Sequence, residues 1–207
     1  TLLKREHHIC LYCLADLPYS YFWSFSENAA RGSLESKIPV DRVAALLIYR
    51  EDSPSSKIVH AFKYHNRTGL GRFMADMLGK KMAESGWVKS YDYIIPVPLH
   101  PLKRWMRGYN QAEIISEALS SRLGIPVLRG ALVRRKYTST QTRKSAAERL
   151  AAMEGIFGFK KGKFPHGKSL LLVDDVMTTG ATLTACANAI LRSEKCRIGV
   201  VTLAFAE

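Results

Sequence analysis

The chain has few cysteines for its length and lacks any long hydrophobic run. Its four cysteines, at positions 10, 13, 186 and 196 of 207 residues, are too few and too unevenly spaced for a disulfide scaffold. No window approaches about 18 consecutive apolar residues, and the N-terminus lacks the basic-then-apolar pattern of a secretory signal. These absences argue against a membrane span and against export. We therefore expect reduced thiols or a metal site, and a cytoplasmic location.

Acidic residues are also scarce. Asp and Glu number 18 against 31 Lys and Arg, which gives a formal net charge of +13. The segment from 100 to 168 holds 15 basic and four acidic residues, so it carries +11 of that charge. Such clustering indicates an anionic partner: nucleic acid, an anionic lipid surface or a polyphosphate substrate. A generally basic surface that binds nothing explains the total charge, but explains the clustering less well.

Residues 37–207 alternate strand-like and helix-like patterns, and no internal repeat is visible. Apolar runs predict strands at 43–49, 169–173 and 198–204, and residues 93–98 are predicted to be a strand that runs into a proline-punctuated loop. Helical spacing with capping signals predicts helices from 54, over 70–82, 111–123 and 181–192. Apolar strands that alternate with helices are typical of a parallel sheet covered on both faces. We therefore predict an α/β domain. The polar, basic stretch 129–154 is predicted to be a long loop or a mobile hairpin leading into a short helix.

Residues 1–36 differ from the rest and are predicted to form a separate cysteine-bearing appendage and a polar linker. Cys10 and Cys13 form a CxxC pair, which is half of a structural zinc site, because such sites need four ligands from two turns. We expect Zn²⁺ at Cys10 and Cys13 in the complete protein, with the first knuckle absent from this sequence. Cys186 and Cys196 are predicted to be small buried hydrophobes.

The stretch LLLVDDVMTTGAT places two carboxylates at the end of a predicted strand and a Thr-rich, glycine-containing turn before a helix. Ligands of open α/β folds sit at the carboxyl ends of strands, and helix N-termini attract anions. The turn therefore suits a phosphate, whereas Asp174 and Asp175 suit neighbouring hydroxyls or a hydrated Mg²⁺. A ligand with a phosphate at one end and a vicinal diol at the other, such as ribose 5-phosphate, satisfies both. The predicted binding residues are Asp174, Asp175, Val176, Met177, Thr178, Thr179, Gly180, Ala181 and Thr182.

This pattern, V-D-D-V-x-T-T-G-x-T, resembles the phosphoribosyl diphosphate (PRPP) signature of type I phosphoribosyltransferases. A second stretch, IPVPLHPLKR followed by RGYNQAE at 107–113, resembles the signature of the ComF/GntX family of competence-protein-F-like phosphoribosyltransferases. Gln141, Arg149 and the segment 155–157 match the same family. The resemblance covers about residues 40–207, and more weakly the cysteine-bearing start. It implies a type I phosphoribosyltransferase fold over 37–207, preceded by a zinc-ribbon-like remnant at 1–36.

The resemblance also implies a function that uses PRPP and Mg²⁺ and is linked to the uptake of DNA during natural transformation or to nucleotide metabolism. Transfer of the phosphoribosyl group builds negative charge on the pyrophosphate that leaves, so cationic groups must surround it. We expect Arg104 and Arg107 to act there as catalytic residues beside Asp174 and Asp175, with Lys103 a weaker candidate. In this family a true transferase reaction is generally inferred from the fold, so whether this chain catalyses it stays open.

Two departures from the family pattern stand out. Ala152 occupies a position where relatives usually have Asn, which puts the local geometry near Arg149 in question. The family tends to carry two CxxC knuckles near its N-terminus, whereas this sequence has one.

The rival interpretation is a non-catalytic competence protein that handles single-stranded DNA, in which the PRPP site is regulatory or vestigial. Such a protein needs a basic groove interleaved with aromatic side chains. Other DNA-uptake proteins are further candidate partners, and no motif for sequence-specific DNA reading is present. The candidate nucleic-acid residues are Lys63, Tyr64, Arg67, Trp105, Tyr109, Arg134, Arg135, Lys136 and Arg143.

Overall fold

The computed structural model describes residues 8–86, 90–135, 155–160 and 167–206. The helices are α1 (Leu11–Ala15), α2 (Ala29–Glu35), α3 (Pro54–Tyr64), α4 (Thr68–Ser85), α5 (Pro101–Arg107), α6 (Gln111–Leu123) and α7 (Ala181–Leu191). The strands are β1 (Val43–Tyr49), β2 (Tyr93–Pro96), β3 (Leu132–Arg134), β4 (Phe157–Phe159), β5 (Ser169–Met177) and β6 (Arg197–Ala206). Within these ranges, no helix has the length and hydrophobicity that a bilayer crossing requires.

A four-stranded parallel sheet in the order β1-β6-β5-β2 organises the molecule. Its strands are buried on both faces, as the continuous apolar runs predict. Along β5, Leu171 and Val173 join a cluster with α3, α4 and α6, whereas Leu170 and Leu172 join a second cluster with α2 and α7. Strands β3 and β4 form a separate antiparallel pair. The predicted α/β architecture with helices on both faces is confirmed.

The capping signals set several helix ends where the sequence predicts them. The Ser53 hydroxyl accepts from Ser56 N at 3.3 Å, and Pro54 opens α3. Helix α6 covers the predicted residues 111–123 and ends at Gly124, whose φ of 70° gives the left-handed C-cap.

At the ends of β2 and β5 the structure differs from the prediction. The segment after β2 was expected to be a loop, yet it contains α5, which His100 caps through a bond from Leu102 N at 3.2 Å. Strand β5 continues beyond Val173 to Met177, because it keeps pairing with β6 as far as the register Met177↔Phe205. The two carboxylates therefore lie within the last part of the strand.

The N-terminal region packs against the domain that follows it. The segment expected to be a linker contains α2, capped by the Asn28 side chain, and Leu34 of α2 is fully buried. Leu17 and Trp23 belong to the same buried cluster as β1. The division at residue 36 stays a prediction.

Candidate functional site

A cleft of about 120 Å³ opens at the carboxyl ends of β5 and β2. These strands are neighbours, with Pro96 opposite Val173. The segments that follow them converge there, as do the end of α3 and strand β3. The lining residues are Lys63, Val97, Pro98, Leu99, Arg107, Asn110, Gln111, Ala112, Arg134, Asp174, Asp175 and Thr182.

The acidic pair sits at the base of this cleft. Backbone N–H groups hold both carboxylates: Asp175 N donates to Asp174 Oδ1 at 2.9 Å, and Val176 N donates to Asp175 Oδ1 at 2.7 Å. Lys63 on α3 forms an ion pair with Asp175, with 3.2 Å between Nζ and Oδ2. This contact joins residues that are far apart in the chain.

Asp174 is electrostatically unusual. Burial, reinforced by the neighbouring charge of Asp175, raises the pKa of Asp174 to about 7. The backbone bond from Asp175 and the charges of Lys63 and Arg134 oppose this shift without cancelling it. The carboxyl group is thus ready to take up or release a proton, or to gain a cation, near neutral pH.

The turn between β5 and α7 leaves a helix start available to an anion. Helix α7 begins after Gly180, and no side chain in the described residues caps it. The first bond of the helix runs from Thr184 N to Gly180 O at 2.8 Å, so the preceding N–H groups point outward. Thr182, in that first turn, lines the cleft. An eleven-residue helix with an uncapped start is a favourable place for a phosphate.

Gly180 is required at this turn for two reasons. Its φ of 71° lies in the left-handed region that favours glycine. A Cβ atom there would lie only 2.6 Å from Leu34 Cδ2 of α2. Lys37, just beyond α2, also holds the turn, because its Nζ donates to Thr179 O at 2.9 Å and to Ser33 O at 2.8 Å. The N-terminal region thus shapes the candidate phosphate loop.

Cationic side chains face the acidic pair. Lys63, Arg107 and Arg134 line the cleft together with the two carboxylates. Burial lowers the pKa of the adjacent Lys103, and the charges of Arg134, Arg107 and Lys63 lower it further. This crowding of positive charge favours a polyanion in the cleft.

The start of α6 forms the opposite wall. Asn110 is buried, donates from Nδ2 to Val97 O at 3.0 Å and accepts at Oδ1 from Ala112 N at 3.1 Å. It therefore ties the segment after β2 to α6.

Gln111 follows Asn110 and is only 2% exposed. Its Oε1 accepts from Arg107 Nη1 at 3.3 Å, whereas its Nε2 has no hydrogen bond of ordinary geometry in the described residues. Burial raises the pKa of the Tyr109 phenol, and a hydrogen-bond interaction with the Gln111 amide lowers it by a smaller amount. A buried donor that lines a cleft can be satisfied by a ligand oxygen. Asn110 and Gln111 belong to the motif at 107–113, but neither was predicted to be a site residue.

The structure brings some predicted site residues together and sets others apart. Arg107 lines the cleft, whereas Arg104 is 56% exposed and forms an ion pair with Glu113 at 2.8 Å. Trp105 is 84% and Tyr64 is 59% exposed, and the Arg107 guanidinium lies 5.2 Å from the centre of the Tyr64 ring.

The remaining nucleic-acid candidates are scattered. The Tyr109 hydroxyl donates to Phe62 O on α3. Arg67 is the N-cap residue of α4, and Arg135 lies against Gly158 of β4. Lys136 and Arg143 lie outside the described residues, as do Gln141, Arg149 and Ala152.

The cysteine pair lies away from the cleft. Cys10 caps α1 by accepting from Cys13 N at 3.4 Å, and neither cysteine forms a disulfide bond within the described residues. The His8 ring packs on Phe73 of α4 with 5.9 Å between ring centroids. No group of three or more metal-ligating residues occurs in the described part of the chain, so zinc binding stays a prediction.

Comparisons with known proteins identify the family of the chain. Residues 109–207, which include the acidic pair and the turn before α7, match the phosphoribosyl transferase domain family. Competence protein F of Haemophilus influenzae is 33% identical over 179 residues, which cover 84% of this chain and 74% of that protein.

A second relative is the DNA utilization protein YhgH of Salmonella typhimurium, 28% identical over 77% of this chain and 70% of its own length. A solved adenine phosphoribosyl transferase from Trypanosoma brucei aligns with a TM-score of 0.46 at 13% identity, over 79% of this chain and 83% of that one. From the match to competence protein F and the matched domain, the chain belongs to the ComF family and has the type I phosphoribosyltransferase fold.

Proposed function

We propose that the protein binds PRPP in the cleft between β5 and β2 and acts as a phosphoribosyltransferase-like protein in the handling of DNA taken up by the cell. One observation carries the proposal: a carboxylate pair, an uncapped helix start and three cationic side chains converge on a single cleft. PRPP has a chemically distinct group for each of them. The names of the relatives, competence protein F and DNA utilization protein, support the link to DNA.

Each part of the cleft has a separate task in this proposal. The free N–H groups of α7 and the hydroxyls of Thr178, Thr179 and Thr182 bind the 5′-phosphate. Asp174 and Asp175 accept hydrogen bonds from the ribose hydroxyls.

The diphosphate lies toward β2, where Arg107 and Arg134 offer positive charge and Gln111 Nε2 offers a buried donor. Arg107 is oriented for this task by its bond to Gln111 Oε1. These cations stabilise the negative charge that develops as pyrophosphate separates from the ribose.

The residues also fit Mg²⁺. Mg²⁺ typically takes one or two protein carboxylates and completes its shell with water and phosphate oxygens. Asp174 and Asp175 are two such carboxylates, and the raised pKa of Asp174 is consistent with a site that gains from a cation. When bound, Mg²⁺ would neutralise charge on the diphosphate.

Calorimetric titration with PRPP, with and without Mg²⁺, tests the proposal. We expect metal-dependent binding in the native protein and its loss in the variant with both Asp174→Asn and Asp175→Asn. Asp76→Asn is the matched control, because Asp76 on α4 forms an exposed ion pair with Arg122 on α6 and neither residue lines the cleft. The absence of both heat and thermal stabilisation at millimolar PRPP would contradict the proposal.

One observation favours a second function, the binding of single-stranded DNA. Trp105 is 84% exposed on α5, between Arg104 and Arg107, and Met106, which is 76% exposed, lies beside it. Exposed aromatic rings among cations are the usual platforms for stacked bases. Trp105→Ala should weaken binding of a short oligothymidylate about tenfold, since stacking contributes about 1–3 kcal/mol per base. Phe25→Ala, at another exposed aromatic residue, is the control, and equal effects of the two variants would count against Trp105.

A further inference from the structure

A second and larger depression lies beside the cleft at the same edge of the sheet. We call it the β1 groove, because it begins at Tyr49, the last residue of β1. It has a volume of about 560 Å³, against about 120 Å³ for the cleft. This is within the usual range for sites that bind small molecules. Tyr49, Glu51, Asp52, Lys57, His60 and His65 are among the residues that line it.

The groove and the cleft share helix α3. Lys63 reaches the cleft and pairs with Asp175, while His60, one turn earlier on the same exposed side of the helix, lines the groove. Tyr64 connects the two: its ring centroid is 4.7 Å from that of His60, and the Arg107 guanidinium is 5.2 Å from it on the side of the cleft. A molecule in the groove would therefore lie next to one in the cleft.

The strand order places the groove on the side from which a nucleophile would attack the bound ribose. The sheet runs β1-β6-β5-β2, so β1 and β2 lie on opposite sides of β5. In the proposed function the diphosphate lies toward β2. A nucleophile that displaces it in line must approach the anomeric carbon from the opposite side, which is the side of β6 and β1.

The side chains of the groove define the chemistry of that nucleophile. The imidazoles of His60 and His65, with ring centroids 5.4 Å apart, offer flat surfaces to a planar ring. The carboxylates of Glu51 and Asp52 accept hydrogen bonds from amino and ring N–H groups, and Lys57 donates to a carbonyl or ring nitrogen. Two carboxylates against one lysine disfavour an anionic acceptor.

We propose that the β1 groove is the acceptor site, and that it takes a neutral nucleobase with an exocyclic amino group. This inference rests on the proposed function. In the transfer, a ring nitrogen of the base bonds to the anomeric carbon while the carbon–oxygen bond to the diphosphate breaks. The electron pair of that bond leaves with pyrophosphate, which also takes up the proton released by the ring nitrogen.

Saturation-transfer NMR on the full chain, with adenine, cytosine, uracil and orotate as probes, tests the groove. Each probe is measured alone and with PRPP and Mg²⁺, and ³¹P spectra follow the release of pyrophosphate. Adenine and cytosine should give clear signals, and orotate should give none. His60→Ala should reduce the adenine signal at least fivefold, whereas His60→Phe, which keeps a flat ring, should retain most of it.

Two further variants separate a specific site from a general effect. Lys80→Ala changes an exposed lysine on α4 and should leave base binding unchanged. Glu51→Gln combined with Asp52→Asn should weaken adenine binding and admit orotate, because the repulsion is removed. Thermal unfolding of each variant checks that the fold is retained.

The results distinguish this inference from the proposed function. If PRPP binds but no base does, with or without PRPP, or if His60→Ala leaves base binding unchanged, the acceptor assignment is wrong while the proposed function stands. If PRPP does not bind but adenine binding depends on His60, the proposed function fails and the groove remains a nucleobase site. PRPP affinity itself should be the same in His60→Ala and the native chain.

Discussion

Two helices begin at the walls of the cleft, and they begin differently. Helix α6 starts with Asn110, whose side chain caps Ala112 N and bonds Val97 O. Helix α7 starts with Gly180, which has no side chain to offer. Both starts face the same cleft, but only the second leaves its first N–H groups to a ligand.

The difference shows how one fold element can serve structure or binding. A capping side chain satisfies N–H groups internally and fixes the local backbone, which makes the α6 start a rigid wall. An uncapped start keeps its unsatisfied donors and its positive dipole end for an anion. Substitutions at either helix start, or at the charged groups between them, therefore test this difference.

The largest effect is expected at Gly180. Gly180→Ala should lower the free energy of unfolding by about 1–3 kcal/mol, because alanine disfavours the left-handed backbone at this position. The added Cβ would also lie 2.6 Å from Leu34 Cδ2, which should increase the loss. Urea unfolding measures the loss. Gly108→Ala is the matched control, since its φ is 78° but no atom lies within 4 Å of the added Cβ. Equal losses in the two variants would mean that the contact with α2 contributes nothing.

The next effect concerns the capped start. Asn110→Ala should destabilise the protein by about 1–2 kcal/mol, because it removes the cap of α6 and the bond to Val97. Asn110→Asp keeps the acceptor for Ala112 N but loses the donor to Val97 O, so it separates the two contributions. Chemical unfolding measures stability, and PRPP titration of the same samples should show a smaller change than in Gly180→Ala. The opposite ranking would make α6, and not α7, the main anion-binding start.

Stability should depend on pH through Asp174. Its pKa in the folded protein is about 7, against an ordinary value of 3.8. Between these values the folded state binds more protons than the unfolded state, so this group makes stability fall as pH rises from about 4 to about 7 and level off above.

Asp174→Asn should remove that decline and raise the melting temperature more at pH 8 than at pH 4.5. The difference between variant and native melting temperatures, measured across this range, isolates the contribution of Asp174. A constant difference at all pH values would refute the assignment, and Asp76→Asn serves as the surface control.

The smallest effects on stability are expected at the two arginines of α5. Arg104 and Glu113 form a largely exposed ion pair, so Arg104→Ala should change stability by only about 0.2–1 kcal/mol. Pyrophosphate affinity should fall about tenfold in Arg107→Ala, which corresponds to the loss of one charge-assisted hydrogen bond, and little in Arg104→Ala. Calorimetry with inorganic pyrophosphate measures both. A larger loss in Arg104→Ala would mean that Arg104 leaves Glu113 to bind the ligand.

Local patterns were sufficient to predict much of the fold. The apolar run at Val43–Tyr49, the Ser53–Pro54 start of α3 and the glycine end of α6 are short-range signals, and each corresponds to an observed element. Helix α5 was missed because seven residues between a proline-rich turn and Gly108 carry too little periodicity. The extension of β5 past Val173 was missed because it depends on pairing with β6.

The candidate site likewise combines residues that a local motif predicts with residues that only tertiary packing brings to it. Asp174, Asp175 and the Thr-Gly turn lie within one short motif, so the sequence predicted them together. The pairing of Lys63 with Asp175 and the bond from Lys37 to Thr179 depend on tertiary packing. Lys63 was predicted only as a nucleic-acid contact, because nothing in the local sequence indicates that it lies opposite the acidic pair.

The strand order has a consequence for how the chain reaches its native state. The last strand of the described residues, β6, lies in the interior of the sheet and pairs with both β1 and β5. During synthesis β1 has to wait for β6 before it acquires this parallel partner, since residues 50–196 lie between the two strands. Such non-local pairing slows folding. Until β6 is available, the apolar strand β1 is exposed and can pair with other chains. Chaperones protect exposed segments of this kind.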